Sequence, residues 1–361
     1  MARTPFTLAA LSTAAVPGLE VAATREHTTG EHGDYDAAVV TTRGGDELIV
    51  RVPRTQAAET EQAADLISLS AMTGGVRSRL PFEVPTVQGQ APYDGTRAVV
   101  YDFLPGAPLA LESMHGGVAA SAGQAIAAIH SLPIGFVLDA GLPRQTAEDA
   151  QRAVMTIVDR AQSTGSLPAA LRSRWYTAAT DQALWRFLPT VINGALSNDA
   201  LLVENGSVRA VIGWSALSIG DPARDLAWVM GAMPDVGDEV FHAYGTGRQS
   251  PNDPRLQHRA LLHAELDLAR WLLHGHELHD AAIIEDAAHM LDQLVERVHR
   301  GGVDRLDQAT GPVLDAAQVE ALLASTPGGG AQPAGMTPVV DEADGSDGNV
   351  DDQRSASSSD E

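Results

Sequence analysis

The residues best suited to chemistry fall in two stretches, VINGALSNDALLV at 191–203 and VRAVIGWSALSIGDPARDLAW at 208–228. The first sets a polar turn between an apolar lead-in and an apolar strand, with Asn193, Asn198 and Asp199 in the turn and Ala195 and Ala200 between them. An amide side chain donates and accepts hydrogen bonds, whereas a methyl group does neither. Asn193 and Asn198 therefore suit holding the loop backbone. Asp199 reads as a capping or solvated residue of a polar turn. No histidine lies between His130 and His242, so no base is supplied from nearby in the chain.

In the second stretch, Asp221 followed by Pro222 marks a helix start, because the carboxylate caps exposed amides and proline at the first helical position forfeits no hydrogen bond. Asp225 then falls in the first turn, where a carboxylate complements the helix dipole. HGHELHD at 274–280 has the composition of a metal site without its spacing. His276 and His279 are three apart, and the zinc-binding helix pattern sets its histidines four apart. We read it as a water-exposed cluster at a helix end. Trp175, Trp185 and Trp271 fall in helical stretches and read as core or lobe-interface residues.

Strand patterns with one helix fill residues 20–105. The runs DAAVVTT (36–42) and DELIVRV (46–52) meet at Gly44, Gly45 and Asp46, a hairpin signal. FEVPTVQ (82–88) and RAVVYDF (97–103) fit two more strands, and 56–72 fits a helix with Ala63, Leu66, Ile67 and Leu69 toward one side. The apolar run 6–16, interrupted by Ser12 and Thr13, reads as a packed helix rather than a secretory signal. Beyond LPGAP (104–108) helical periods take over. Val118, Ala122, Ala125, Ile126 and Ile129 form one face, Leu262, Leu266, Ala269 and Leu273 a second, and Ile284, Ala287, Leu291, Leu294 and Val298 a third. The break in this half is a hairpin turning at Asn205-Gly206. From Thr326 the chain is rich in Gly, Pro, Ser and Asp, and residues 341–361 hold eight acids against Arg354 alone. Such a composition predicts disorder. The expected division is 1–104 (α+β lobe), 105–325 (mainly helical lobe carrying the hairpin) and 326–361 (acidic tail).

A chain of 361 residues, 44% hydrophobic, can bury a large core in two lobes. It has no cysteine, which excludes disulfides, thiolate nucleophiles and cysteine-bound zinc. All 24 basic residues are arginine, which excludes Schiff-base chemistry and lysine contacts to phosphate. A net charge of −23 argues against nucleic acid and anionic membranes as partners, and a polyphosphate would need a strong local positive site. No stretch has the apolar length of a spanning helix, and a cytoplasmic protein is expected.

The order of these parts resembles the aminoglycoside and macrolide phosphotransferase family, whose fold is protein-kinase-like, over roughly residues 1–300. LIVRVPR is similar to the strand bearing the family's phosphate-contacting basic residue, VVYDFLPG to the run into the interlobe connector, and AIAAIHSLP to the helix after it. ALWRFLPTVINGALSNDALLV resembles the approach to the catalytic loop, and VRAVIGWSALSIGDPARDLAW the metal-binding strand and the following helix. The resemblance implies an α+β, two-lobed fold with a small sheet lobe and a larger helical lobe. In the family the loop reads His-Gly-Asp-Leu with Asn five positions after the Asp, and the strand ends Ile-Asp-Trp. The loop Asp serves the substrate hydroxyl, while the Asn and second Asp hold magnesium against the phosphates.

Placed on this chain, the His position is Asn193, the catalytic Asp Ala195, the magnesium Asn Ala200 and the second magnesium Asp Gly213. All four are replaced, while Gly194, Leu196, Trp214, Asp221, Pro222 and Asp225 match, the last supporting the loop in the family. The resemblance puts the basic residue at Arg51 and its acidic partner at Glu61, and an arginine can still pair with phosphate. TREHTTGEHGDYD (24–36) shows no phosphate-cradling glycine loop; Gly30 and Gly33 read as turn residues. The expectation is a silent or severely impaired phosphotransferase homologue with no cofactor, holding a small molecule in the interlobe cleft or a protein partner. Two alternatives stay open: an ATP- and magnesium-dependent small-molecule kinase whose metal site is rebuilt on Asp199 or another acid, and a scaffold acting through its surface and tail.

Overall fold

A computed structural model describes residues 3–27, 33–248 and 253–300, all within one compact unit. The expected acidic tail, the helical lobe beyond residue 300 and Gly30 lie outside the described residues. The N-terminal part is a five-stranded antiparallel sheet, β1 (Val21–Glu26), β2 (Tyr35–Thr42), β3 (Glu47–Pro53), β4 (Val87–Tyr93) and β5 (Thr96–Asp102), in the order β1-β2-β3-β5-β4. Strand alternation sends Ala38, Val40, Val50, Val52, Ala98 and Val100 to one face, where helix α1 (Pro5–Ala15) buries Leu8 and Ala15 on them. Ile49, Val99 and Tyr101 point to the opposite face, toward Leu69 and Met72 at the end of α2 (Gln56–Ala71). Threonine side chains cap both helices, Thr4 on α1 and Thr55 on α2.

Two strand expectations are corrected. The sheet has five strands rather than four, because β1 has an irregular, half-exposed burial pattern that leaves no alternation to read. FEVPTVQ is not a strand over 82–88: Pro85 has no N–H to give a ladder, and β4 begins only at Val87. The segment does other work. Glu83 exchanges backbone hydrogen bonds with the hairpin of the second half, Glu83 N to Arg209 O at 2.9 Å and Val211 N to Glu83 O at 3.0 Å.

After the short α3 (Gly74–Arg77) and the connector come β6 (Ala107–Pro108), α4 (Gly117–His130), α5 (Gly135–Asp139), α6 (Ala147–Ser163) and α7 (Ala169–Thr180). Then follow β7 (Thr190–Ile192), the hairpin β8 (Leu201–Glu204) and β9 (Ser207–Val211), β10 (Ser218–Gly220), and a 3₁₀ helix Pro222–Gly231. Three long helices close the described chain: α8 (Pro234–Gly247), α9 (Leu256–Leu278) and α10 (Ala281–His299). Asn205 and Gly206 both take positive φ, +51° and +79°, the geometry of a tight two-residue hairpin. The periodic faces read on α4, α9 and α10 are the buried ones, whereas on α2 Leu69 is buried but Ala63 and Ile67 of the face read from the sequence are exposed. Ala122, Ala125, Ile126 and Ile129 of α4 join the central core, while Leu262, Leu266, Ala269, Ala287, Leu291 and Leu294 form a second core with Trp175 and Trp185.

The two cores meet near a buried charge cluster that sequence reading did not anticipate. Arg259, fully buried on α9, forks onto Asp221 at 2.9–3.1 Å, reaches Asp253 at 2.6 Å and lies over the Phe187 ring at 4.3 Å. Burial alone would raise the Asp221 pKa. Arg259 and His263 override it and hold the carboxyl well below the usual carboxylate range. Asp221 does cap Ala223 N at 3.0 Å, as its place before Pro222 predicts, but its larger task is to neutralise Arg259.

Candidate functional site

The loop after β7 is held from below by one side chain. The fully buried Asp225 carboxylate accepts the N–H of Asn193 and of Gly194, each at 2.7 Å. It also meets His130 Nε2 at 3.2 Å, and His130 Nδ1 lies 3.0 Å from the Tyr244 hydroxyl. Burial pushes the His130 pKa down, with Asp225 only partly opposing it, so the ring is neutral near pH 7. The consistent assignment has Tyr244 donating to Nδ1 and Nε2–H donating to Asp225. The helix-dipole reading of Asp225 is thus secondary to its grip on loop amides.

Asn193 braces the loop sideways. Its Nδ2 donates to the Gly213 carbonyl at 2.9 Å and its Oδ1 accepts Ala195 N–H at 3.2 Å, which ties the β7 turn to the end of the β9 strand. Gly194 is obligatory: its φ is +84°, and a Cβ there would sit 2.3 Å from the Ala216 carbonyl oxygen. Around this frame the positions that the family resemblance marks as reactive carry no side-chain functional group. Ala195 and Gly213 are exposed and Ala200 is half-buried. Gly213 has φ +71° with open space around it.

Gly213 lines a cleft of about 600 Å³ between the sheet and the hairpin, whereas Ala195 and Ala200 are not among its lining residues. Ala37 and Ile49 line it from the sheet, Leu202 and Ile212 from the hairpin, and Phe103 and Leu104 from the connector. Arg51, Asp199 and Gly213 share this lining, so three positions singled out in the sequence come together. The Arg51 guanidinium stacks over the Tyr35 ring at 3.9 Å, and among the described residues it makes no ion pair within 4.0 Å. Glu61 is exposed on α2 and is not among the lining residues. The lining acid of α2 is Asp65, which accepts Trp214 N–H at 2.8 Å and the Tyr101 hydroxyl. Burial raises the Asp65 pKa against these hydrogen bonds and Arg51. The signal for Asp65 was present in the sequence, since it lies four residues, one helical turn, after Glu61. Asp199 is exposed, and its Oδ1 accepts from Asn198 Nδ2 at 3.2 Å while the same Nδ2 donates to Leu109 O at 2.8 Å.

Magnesium requires several oxygen ligands in near-octahedral geometry. At positions 195, 200 and 213 the chain offers two methyl groups and a hydrogen. Among the described residues no group of three or more His, Asp or Glu side chains converges as a metal site. The residues present do not fit a magnesium-bound triphosphate. In HGHELHD, His274 stacks on Trp271 at 5.5 Å, Glu277 pairs with Arg160 at 2.5 Å, and His279 ends α9 at φ +55°.

A sheet lobe, a connector, a helical lobe and a loop braced in the cleft define a protein-kinase-like architecture. The model of the phosphotransferase enzyme family matches residues 31–261, and the chain belongs to that family. Among solved structures the chain resembles macrolide 2'-phosphotransferase MphH from Brachybacterium faecium, with 22% identity, a TM-score of 0.67, and 80% of this chain and 98% of that one covered. It resembles macrolide 2'-phosphotransferase type I at 22% identity and a TM-score of 0.65, covering 81% and 98% of the two chains. The GDP complex of aminoglycoside 2'-phosphotransferase-IIIa gives 18% identity and a TM-score of 0.65, again over 81% and 98%. These likenesses establish the fold. Curated proteins gave no sequence match.

Proposed function

We propose that this chain is a catalytically silent or severely impaired member of the phosphotransferase family, of aminoglycoside and macrolide phosphotransferase type, which keeps its interlobe cleft as a small-molecule site. The observation that carries this reading is the contrast at one loop: Asp225 and Asn193 hold the backbone, yet Ala195, Ala200 and Gly213 bear no side-chain oxygen for a hydroxyl or a cation. Loss of a general base lowers rates by about 10²- to 10⁴-fold, and groups acting as one unit fail together. The reading includes a cytoplasmic location; among the described residues no helix is long and apolar enough to cross a membrane.

The test is phosphoryl transfer from ATP or GTP, with magnesium, to an aminoglycoside or a macrolide. The expected outcome is no product above the protein-free control. Turnover that follows the protein through dialysis and purification would reverse the conclusion. A second reading has one observation in its favour, the exposed Asp199 carboxylate in the cleft lining. If turnover appears and Asp199→Ala abolishes it, the protein is a kinase with a rebuilt site.

A further inference from the structure

A positive charge is left over where α9 meets the 3₁₀ helix, outside the cleft. His263, Asp267 and Arg270 fall on one stripe of α9 by their spacing, and Arg224 meets that stripe from the 3₁₀ helix. Arg224 and Arg270 both donate through Nη1 to the same oxygen, Asp267 Oδ1, at 2.7 and 2.6 Å. Among the described residues neither guanidinium donates any other hydrogen bond, although each carries several more N–H groups. Two guanidiniums against one carboxylate make a local positive surplus in a chain whose net charge is −23. Burial and then Arg224 lower the Arg270 pKa, and Asp267 opposes them.

His263 carries a second, independent sign. Its side chain is buried, and its Nε2 lies 3.2 Å from Asp221 Oδ2. Burial pushes the ring's pKa down, Asp221 opposes the fall and Arg224 and Arg270 add to it, so the ring is neutral near pH 7. The nitrogen facing a carboxylate is the protonated one, which leaves Nδ1 a bare acceptor. Among the described residues nothing donates to it. A ligand suited to this corner therefore brings negative oxygens for the two guanidiniums and an O–H for Nδ1. Nδ1 is closed to solvent, whereas the Arg224 and Arg270 side chains are 27% and 33% exposed, so their outward rotation admits the ligand. Inorganic phosphate and bicarbonate both keep an O–H near neutral pH, while sulfate has none and a phosphate monoester loses its own above about pH 6.

We propose that Arg224, Arg270 and His263 form an oxyanion site for a small anion that retains an O–H, of the hydrogen phosphate or bicarbonate class. None of the three lines the interlobe cleft, so the site stands or falls apart from the reading of that cleft. The experiment is calorimetric titration of the full chain, at about pH 7.5 in chloride buffer, with phosphate, bicarbonate, sulfate and phosphoserine. Phosphate or bicarbonate binds saturably, the tighter of the two naming the ion, and sulfate and phosphoserine bind at least about tenfold more weakly. Asp267 is exposed, so Asp267→Asn keeps the fold while removing the competing carboxylate, and affinity rises by about threefold or more. Arg224→Gln lowers affinity by about tenfold. A melting curve taken without the anion, matching that of the unsubstituted chain, confirms the folding of each variant. Sulfate binding as tight as phosphate reduces the corner to a bare cationic patch and overturns the proposal. So does the absence of saturable heat from both phosphate and bicarbonate up to about 10 mM. Binding that neither substitution alters also overturns it, because the anion then sits elsewhere.

Discussion

The loop after β7 and the strand end beside it divide into residues that hold the loop's shape and exposed residues whose side chains hold nothing. Asp225 binds two loop amides and His130, Asn193 ties the loop to Gly213, and Gly194 takes a conformation that leaves no room for a Cβ. All of this is buried or tightly packed backbone. Ala195 and Gly213 are exposed, and neither bears a side-chain hydrogen bond. This loop is therefore held by Asp225, Asn193 and Gly194, and its exposed positions Ala195 and Gly213 add no side-chain contact to its support.

Substitutions on the two sides sharpen this contrast. Arg259→Ala is the most damaging, because it strands the buried Asp221 carboxylate, and a loss of about 3–5 kcal/mol is expected from urea denaturation. A loss near zero would show that the cluster is not a support. Asp225→Ala leaves the buried Asn193 amide and the half-buried Gly194 amide without their acceptor and costs about 2–4 kcal/mol. Glycine offers a matched pair. Gly194→Ala meets the Ala216 carbonyl and costs about 2–3 kcal/mol, while Gly213→Ala meets open space and costs only the positive-φ strain of about 1 kcal/mol. Equal losses at the two glycines would erase the distinction.

Acid offers a milder probe of the supports. His130 and His263 have pKa values lowered first by burial, from an ordinary 6.5, so the folded protein resists protonation that the unfolded chain accepts. Their contribution is complete above about pH 6.5 and is lost as the pH falls through the depressed folded values. The melting temperature should hold between pH 7 and 8 and fall from about pH 6.5 to 5; a flat profile over that lower range would contradict the assignment. The smallest effect is expected at an exposed loop position, where Ala195→Asp changes stability by no more than about 0.5 kcal/mol.

The parts of this molecule legible in its sequence were those with short-range signatures. The helix faces of α4, α9 and α10 follow their period, the Asn205-Gly206 hairpin follows its turn chemistry, and the loop frame follows from Gly194, Trp214 and Asp225 in fixed order. Tertiary pairing left no such trace. Arg259 and Asp221 lie 38 residues apart in sequence, and nothing local marks α9 as the source of a buried guanidinium. Sequence pattern does not separate Glu61 from Asp65, which lie one helical turn apart and both feel the charge of Arg51; the Trp214 N–H donated to Asp65 marks the difference only in three dimensions.

Whether the cleft grips a divalent cation beside a triphosphate is read from calorimetric titration of ATP into the full chain, with and without magnesium. The expected result is the same weak or absent heat in both buffers. Binding that requires magnesium, is reversed by EDTA and has a Kd below about 100 μM would contradict it.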